Sequence, residues 1–215
     1  MSESFVITKI EKQKSRRRYN LYLNNEYFAS IDENVLISLR LLKGKEIDKD
    51  TLNEIITKED QSKAWNSSLR YLSYRNRSEA EIIKYLTRKD YTKKIIDFVL
   101  IRLKDNNYIN DSLYARSMVN NRISSKPMGK NLLSYELRNK GISEMDIEEA
   151  LKCIDTEIEY SMAIKLADKK INEYKLLDWE CFKNKMGNYL QRKGFSYSLI
   201  LKVLHNYRNN FDGEN

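Results

Sequence analysis

The chain has 215 residues, a formal charge of +8 and a pI near 9.2, which allows one large domain or two small ones and favours an anionic partner. One Pro and six Gly leave few helix breakers, no run of apolar residues is long enough to span a membrane, and the opening MSESFVITKI lacks the layout of a secretory signal. Cys153 and Cys181 fit no metal or redox spacing, so both are expected to be buried or half-buried small hydrophobes in a reducing cytoplasm.

In chain order, Phe5, Ile7 and Lys9 alternate with Val6, Thr8 and Ile10, a short strand signal. A basic run follows, made of Lys12, Lys14, Arg16, Arg17 and Arg18. Tyr19 to Leu23 and Tyr27 to Ile31 flank Asn24-Asn25-Glu26 and read as a β-hairpin. Asp32 caps a short helix carrying Val35, Leu36, Leu39 and Leu42 and ended by Gly44, and Lys45 to Ile47 returns as a short strand. Residues 1–59 therefore read as a small α/β head, closed by a helix over Asp48 to Lys58.

From Asp60 the chain becomes repetitive. YLTRKDY at 85–91, ELRNKGI at 136–142 and YLQRKGF at 189–195 superpose on Leu86, Leu137 and Leu190, spaced 51 and 53 residues apart. Downstream, Thr92 pairs with Ser143 and Ser196, and Ile96 with Ile147 and Ile200. The turn after each helix needs a left-handed residue, supplied by Asp90, Gly141 and Gly194. Thr92, Ser143 or Ser196 then caps the next helix, whose apolar stripe is Ile96, Val99, Leu100 and Leu103 in copy one. The corresponding stripes are Ile147, Ala150, Leu151 and Ile154, then Ile200, Val203, Leu204 and Tyr207. Such a unit is too small to fold alone and must stack on its neighbours.

The fold class is thus mainly α: tandem three-helix, helix-turn-helix-like repeats after the head, at 60–109, 110–155 and 156–211, with a frayed tail at 212–215. Copy one opens with a helix over Asp60 to Tyr74, and Ser78 with Glu81 makes a capping box for the next. Copy two opens at an Asn110 or Asp111 cap with a stripe of Leu113, Tyr114, Met118 and Ile123. Its link from Ser124 to Gly129 looks the least ordered. Copy three opens with a longer helix from Glu157 to Glu173 and is capped again at Asp178.

Charge is uneven along the chain. Residues 61–110 carry eleven Lys and Arg against five Asp and Glu, whereas residues 1–60 and 111–155 balance. Arg88-Lys89, Lys140 and Arg192-Lys193 all end a second helix, either because cations complement the helix dipole there or because they form a binding stripe. The run from Lys12 to Arg18 has two readings as well, protection of a sheet edge or a reach for phosphate.

Nothing in the chain marks catalysis. His205 stands alone in the last helix, no Gly-rich phosphate loop, HExxH or paired-carboxylate site occurs, and capping accounts for Glu79, Asp105 and Asp111. The tyrosines read as core filler. Neither a cofactor nor a metal is expected, and the function is binding.

Arg75-Asn76-Arg77-Ser78-Glu79-Ala80-Glu81 after Tyr71-Leu72, then Tyr108-Ile109-Asn110-Asp111 before Tyr114-Ala115, resemble the RecX regulators of bacterial RecA recombinase. Gly129, Leu137, Lys140-Gly141-Ile142 and Lys193-Gly194-Phe195 extend the resemblance over residues 60–208. The head resembles the extension of longer members, and Asp90 departs from the glycine of the other two copies. The resemblance implies an elongated, curved array of three-helix repeats that works as a monomer. It implies binding to RecA and to the groove of the RecA–single-stranded-DNA filament, with restraint of filament extension, ATP hydrolysis and strand exchange, and weak direct binding to single- or double-stranded DNA. The residues expected to meet acidic RecA surfaces or DNA phosphate are Arg16, Arg17, Arg18, Arg70, Arg75, Arg77, Arg88, Lys89, Lys140, Arg192 and Lys193. The rival class is a helical module acting on DNA without RecA, against which the second helices carry few residues suited to base edges.

Overall fold

The computed structural model describes residues 4–14, 17–174 and 177–212, with side chains up to 208. The chain forms two compact units, Met1–Asn76 with Ile82–Tyr108, and Arg77–Glu81 with Ile109–Asn215.

The first unit begins with β1 (Phe5–Lys12), β2 (Arg18–Leu23), β3 (Glu26–Asp32), α1 (Glu33–Ser38) and β4 (Glu46–Ile47). The sheet order is β3-β2-β1-β4, with every pair antiparallel. Asn24 and Asn25 take φ values of 50° and 70°, and Glu26 pairs with Leu23, so the hairpin turn has two residues rather than the three expected. The β1–β2 register shifts between Ile7 and Lys9, and the alternation shifts with it. Ile10 therefore packs against the core while Lys9 faces solvent.

Helix α1 also ends earlier than its apolar spacing suggests. Arg40 turns left-handed at φ 48°, and the Leu41 N–H donates to the Leu36 carbonyl at 3.0 Å. That turn buries Leu41 and leaves Leu42 67% exposed, the reverse of the expected stripe.

Helix α2 (Lys49–Leu72) runs without the break expected near Lys58, since no Gly or Pro interrupts it. Its Ile55 joins the core of the head, whose other buried members include Ile7, Leu21, Ile31 and Leu41. One turn on, the Glu59 side chain is 4% exposed. One of its oxygens accepts from Arg18 Nη2 at 2.6 Å, the other from the Asp32 N–H at 2.8 Å. The unit is completed by α3 (Glu79–Thr87), whose first turn packs with the second unit, and α4 (Lys93–Asp105). Ile96, Val99, Leu100 and Leu103 are buried as the spacing predicts. Thr92 holds the extended capping backbone but makes no side-chain cap. Ser143 does cap, accepting from the Asp146 N–H at 3.1 Å.

The second unit holds α5 (Asp111–Ser124), α6 (Lys130–Asn139), α7 (Glu144–Leu151), α8 (Thr156–Tyr174), α9 (Trp179–Arg192) and α10 (Tyr197–Asp212). One core runs through both its copies, from Ala115 and Leu137 to Phe182, Leu190 and Val203. On α5 the buried positions are Ala115 and Val119, while the expected Leu113 is 62% exposed. Pro127, Met128 and Gly129 are buried, so the link before α6 is packed rather than loose. Cys153 is exposed, contrary to expectation, and Cys181 is half-buried. Tyr207 is the buried tyrosine; Tyr27, Tyr74, Tyr108, Tyr135 and Tyr197 are exposed, so core filling does not describe them as a class. Burial, then a hydrogen bond to Asp168, raises the Tyr207 phenol above its ordinary pKa and keeps it a donor. Helix α10 continues past Asn209 to Asp212, and the rest of the expected tail lies outside the described residues. Among the described residues no helix is long and apolar enough to cross a membrane.

Removing the Glu59 carboxylate strands the Arg18 guanidinium and the Asp32 amide together. Glu59→Ala is expected to destabilise the protein by about 3 kcal/mol and Glu59→Gln by less. Urea unfolding followed by circular dichroism reads the difference.

Candidate partner-binding surface

The cations at the ends of the second helices are placed by one turn used three times. Asp90, Gly141 and Gly194 have φ values of 61°, 76° and 85°. The next N–H groups, of Tyr91, Ile142 and Phe195, donate back to the Leu86, Leu137 and Leu190 carbonyls at 3.3, 3.2 and 3.3 Å. This closure ends each helix on Lys89, Lys140 or Lys193 and turns that lysine's carbonyl out of the helix.

In the second unit that carbonyl is received elsewhere. Ser78 Oγ donates to the Lys140 carbonyl at 2.6 Å, and the Gly129 N–H donates to the Lys193 carbonyl at 2.8 Å. Ser78 and Gly129 are equivalent positions, 51 residues apart, at the start of a second helix. The next N–H is capped from the same side in both cases. Glu79 N–H donates to Asp111 at 2.9 Å, and Lys130 N–H donates to Glu159 at 3.0 Å. The approach leaves no room for a side chain. A Cβ on Gly141 would lie 2.3 Å from the Ala80 Cβ, and one on Gly194 would lie 2.4 Å from the Leu132 Cβ. Asp90 is exposed, which is why a residue with a side chain fits the first turn. In copy three the position equivalent to Ser78 and Gly129 is Phe182, fully buried inside α9, which starts a turn earlier.

The cations differ in how deeply the fold draws them in. Arg16 lies outside the described residues. Arg17 is 79% exposed, its guanidinium 4.0 Å from Glu33, whereas Arg18 is held inside the head by Glu59 and Ser30. Glu81 gathers two more: Lys140 Nζ lies 2.9 Å from its carboxylate, and Arg77, 13% exposed, lies at 3.9 Å. Those three side chains serve the fold, a role their charge pattern did not reveal. Arg70, Arg75, Arg88, Lys89 and Arg192 are exposed. Lys89 and Lys193 lie over the Tyr85 and Tyr189 rings at 5.3 and 5.7 Å.

Copy one adds exposed Lys84, Lys93 and Lys94. Copy two instead neutralises itself. Hydrogen bonds from Arg138 and Lys152 hold Glu144 and Glu149 below the ordinary carboxylate range. Among the described residues no group of His, Cys, Asp or Glu side chains is placed to hold a metal. Arg102 lies 4.2 Å over the Trp65 ring, and Tyr108 packs against Trp65 in a T-shaped pair. These residues are too far apart along the chain to make a motif.

Comparison with known proteins matches four family models to the chain. The RecX N-terminal domain covers residues 5–48, and the first, second and third three-helix domains of RecX cover 64–103, 110–151 and 157–204. A regulatory protein RecX of Limosilactobacillus reuteri (strain DSM 20016) is 37% identical over 90% of this chain and 73% of its own. That of Clostridioides difficile (strain 630) is 35% identical over 95% of this chain and 96% of its own. A crystal structure of regulatory protein RecX superposes with a TM-score of 0.78 at 36% identity, covering 93% of this chain and 98% of that one.

The two glycine mechanisms can be separated by mutation. Gly141→Ala combines a left-handed backbone with a clash and is expected to cost about 2–4 kcal/mol. Gly129→Ala, whose backbone angles suit alanine, should still cost about 2 kcal/mol because its Cβ would meet the Gly194 carbonyl. Asp90→Gly should be neutral or stabilising by about 1 kcal/mol. Thermal and urea melts of the three variants check the order.

Proposed function

The chain belongs to the RecX family, and on that premise we propose that it regulates RecA by binding, without chemistry of its own. The proposed partners are RecA and the RecA–single-stranded-DNA filament, whose extension, ATP hydrolysis and strand exchange it restrains. Binding within the helical groove of the filament is part of the proposal. A monomer built from tandem copies can touch successive RecA protomers, and weak contacts joined in one chain reinforce each other.

The observation that carries this reading is the sorting of charge. Arg18, Arg77 and Lys140 are engaged by Glu59 and Glu81, while Arg70, Arg88 and Lys89 of copy one stay exposed, as does Arg75 beside its bond to the Asn76 carbonyl, with Lys84, Lys93 and Lys94 nearby in sequence. A segment in which cations outnumber carboxylates by eleven to five, most of them exposed, suits acidic protein surface or phosphate. Arg17, Arg192 and Lys193 belong to the proposal as secondary contacts; Arg16 is carried in it from its sequence alone.

The test is RecA ATPase on single-stranded DNA at rising concentrations of this protein. Wild type is expected to inhibit, and the variant with Arg70, Arg75, Arg88 and Lys89 all changed to Glu should need at least about tenfold more protein for half-inhibition, equivalent to 1.4 kcal/mol. Its circular dichroism should match wild type. Full inhibition by the folded variant would overturn the assignment of this surface, and a sequence-specific footprint on duplex DNA without RecA would favour the rival DNA-binding module.

A further inference from the structure

Copy one carries a groove of about 510 Å³ lined by Leu69, Leu72, Ser73, Asn76, Asn107 and Tyr108, all in the first unit. That volume falls inside the roughly 300–1,000 Å³ span of small-molecule sites. Half-buried Leu69 and Leu72 supply its apolar side. Tyr108, 52% exposed, supplies an aromatic one. The Tyr108 ring packs edge-to-face with Trp65, centroids 5.9 Å apart at 70°, and the Arg102 guanidinium lies over Trp65.

The turn that presents Tyr108 is fixed by its backbone. Asn107 has φ 56°, its N–H donates to the Lys104 carbonyl at 2.9 Å, and the Tyr108 N–H donates to the Leu103 carbonyl at 2.8 Å. At the other lip the Asn76 carbonyl accepts from Arg75 Nη1 at 3.1 Å. Arg70, one residue from Leu69, is exposed.

We infer that this groove receives an unstacked nucleobase of a single-stranded nucleic acid. Tyr108 stacks on the base, the Asn76 and Asn107 amides meet its edge, and exposed Arg70 meets a flanking phosphate. Each carboxamide offers both a donor and an acceptor, so the edge of any base can be satisfied. Stacking on tyrosine is tolerant of sequence, and the local surplus of eleven cations over five carboxylates supplies attraction to the backbone. A protein aromatic ring could fill the apolar part, but it offers at most one or two polar atoms to the two amides and no phosphate to Arg70. The inference extends the proposed function by naming how a single strand is held, and its test uses DNA alone so that the two can fail separately.

The measurement is binding of a fluorescein-labelled oligothymidylate, without RecA, across a range of salt. Tyr108→Ala is expected to weaken binding about tenfold and leave the salt slope unchanged, because phosphate contacts persist. Tyr108→Phe should stay within about twofold of wild type, since the ring face is kept. Ser73→Tyr fills the groove from its lip without touching the Trp65 packing and should show the same loss as Tyr108→Ala, which separates occupancy of the groove from damage to the fold. Wild-type affinity in both the Tyr108→Ala and Ser73→Tyr proteins would overturn the inference. So would no binding by wild type, or loss of RecA binding with DNA affinity intact, which would assign the groove to a protein side chain. RecA ATPase inhibition measured in parallel separates the two readings. Tyr108-dependent DNA binding without inhibition keeps this site and ends the RecA reading; inhibition with Tyr108-independent DNA binding does the opposite.

Discussion

A backbone carbonyl that has left its own helix must find another donor if it is to be buried, and this protein meets that requirement by stacking. The Lys140 and Lys193 carbonyls point out of their helices because Gly141 and Gly194 turn the chain left-handed. Each is met at the start of a second helix, by the Ser78 hydroxyl in one case and the Gly129 amide in the other. The same contact brings a carboxylate, Asp111 or Glu159, onto an amide that the helix itself leaves unpaired. Orphan donors and acceptors from separate helix ends thus satisfy each other, and the glycines are the condition for their approach.

That geometry also decides which charges remain for a partner. The turn delivers a basic residue to the same corner each time, but the fate of the residue depends on its neighbours. Beside Glu81, Lys140 is drawn into the junction and Arg77 with it. At the exposed first turn, Arg88 and Lys89 keep their charge on the surface. In the head Glu59 does what Glu81 does, tying Arg18 and the Asp32 amide to a helix that continues into copy one. Fold and function therefore draw on the same pool of cations, and two glutamates make the division.

Local rules made much of this readable before any coordinates. The left-handed turns, the Ser78–Glu81 capping box, the Asn110 and Asp178 caps and the stripes after Thr92 and Ser196 each depend on residues within one turn of one another. What escaped depends on partners far along the chain or on the insertion of one residue. The register shift after Ile7 exchanges Lys9 for Ile10, and the Arg40 turn exchanges Leu42 for Leu41. Arg18 meets a carboxylate 41 positions away and Lys140 one 59 positions away, so both looked like free cations. The Trp65–Arg102–Tyr108 cluster was hidden in the same way, because stripe counting treats a tyrosine as core unless tertiary packing says otherwise.

A contact in which one corner donates and a different turn accepts is polar in the directional sense, and repeated between molecules such a contact generates an open filament rather than a closed oligomer. The first accepting turn ends on Asp90, whose carboxylate does not fit a space shaped for a hydrogen atom, and the position of the last donating corner is taken by the buried Phe182. Both end positions of the repeat carry larger side chains where the inner ones carry glycine or serine, and this disfavours the same contact between two molecules.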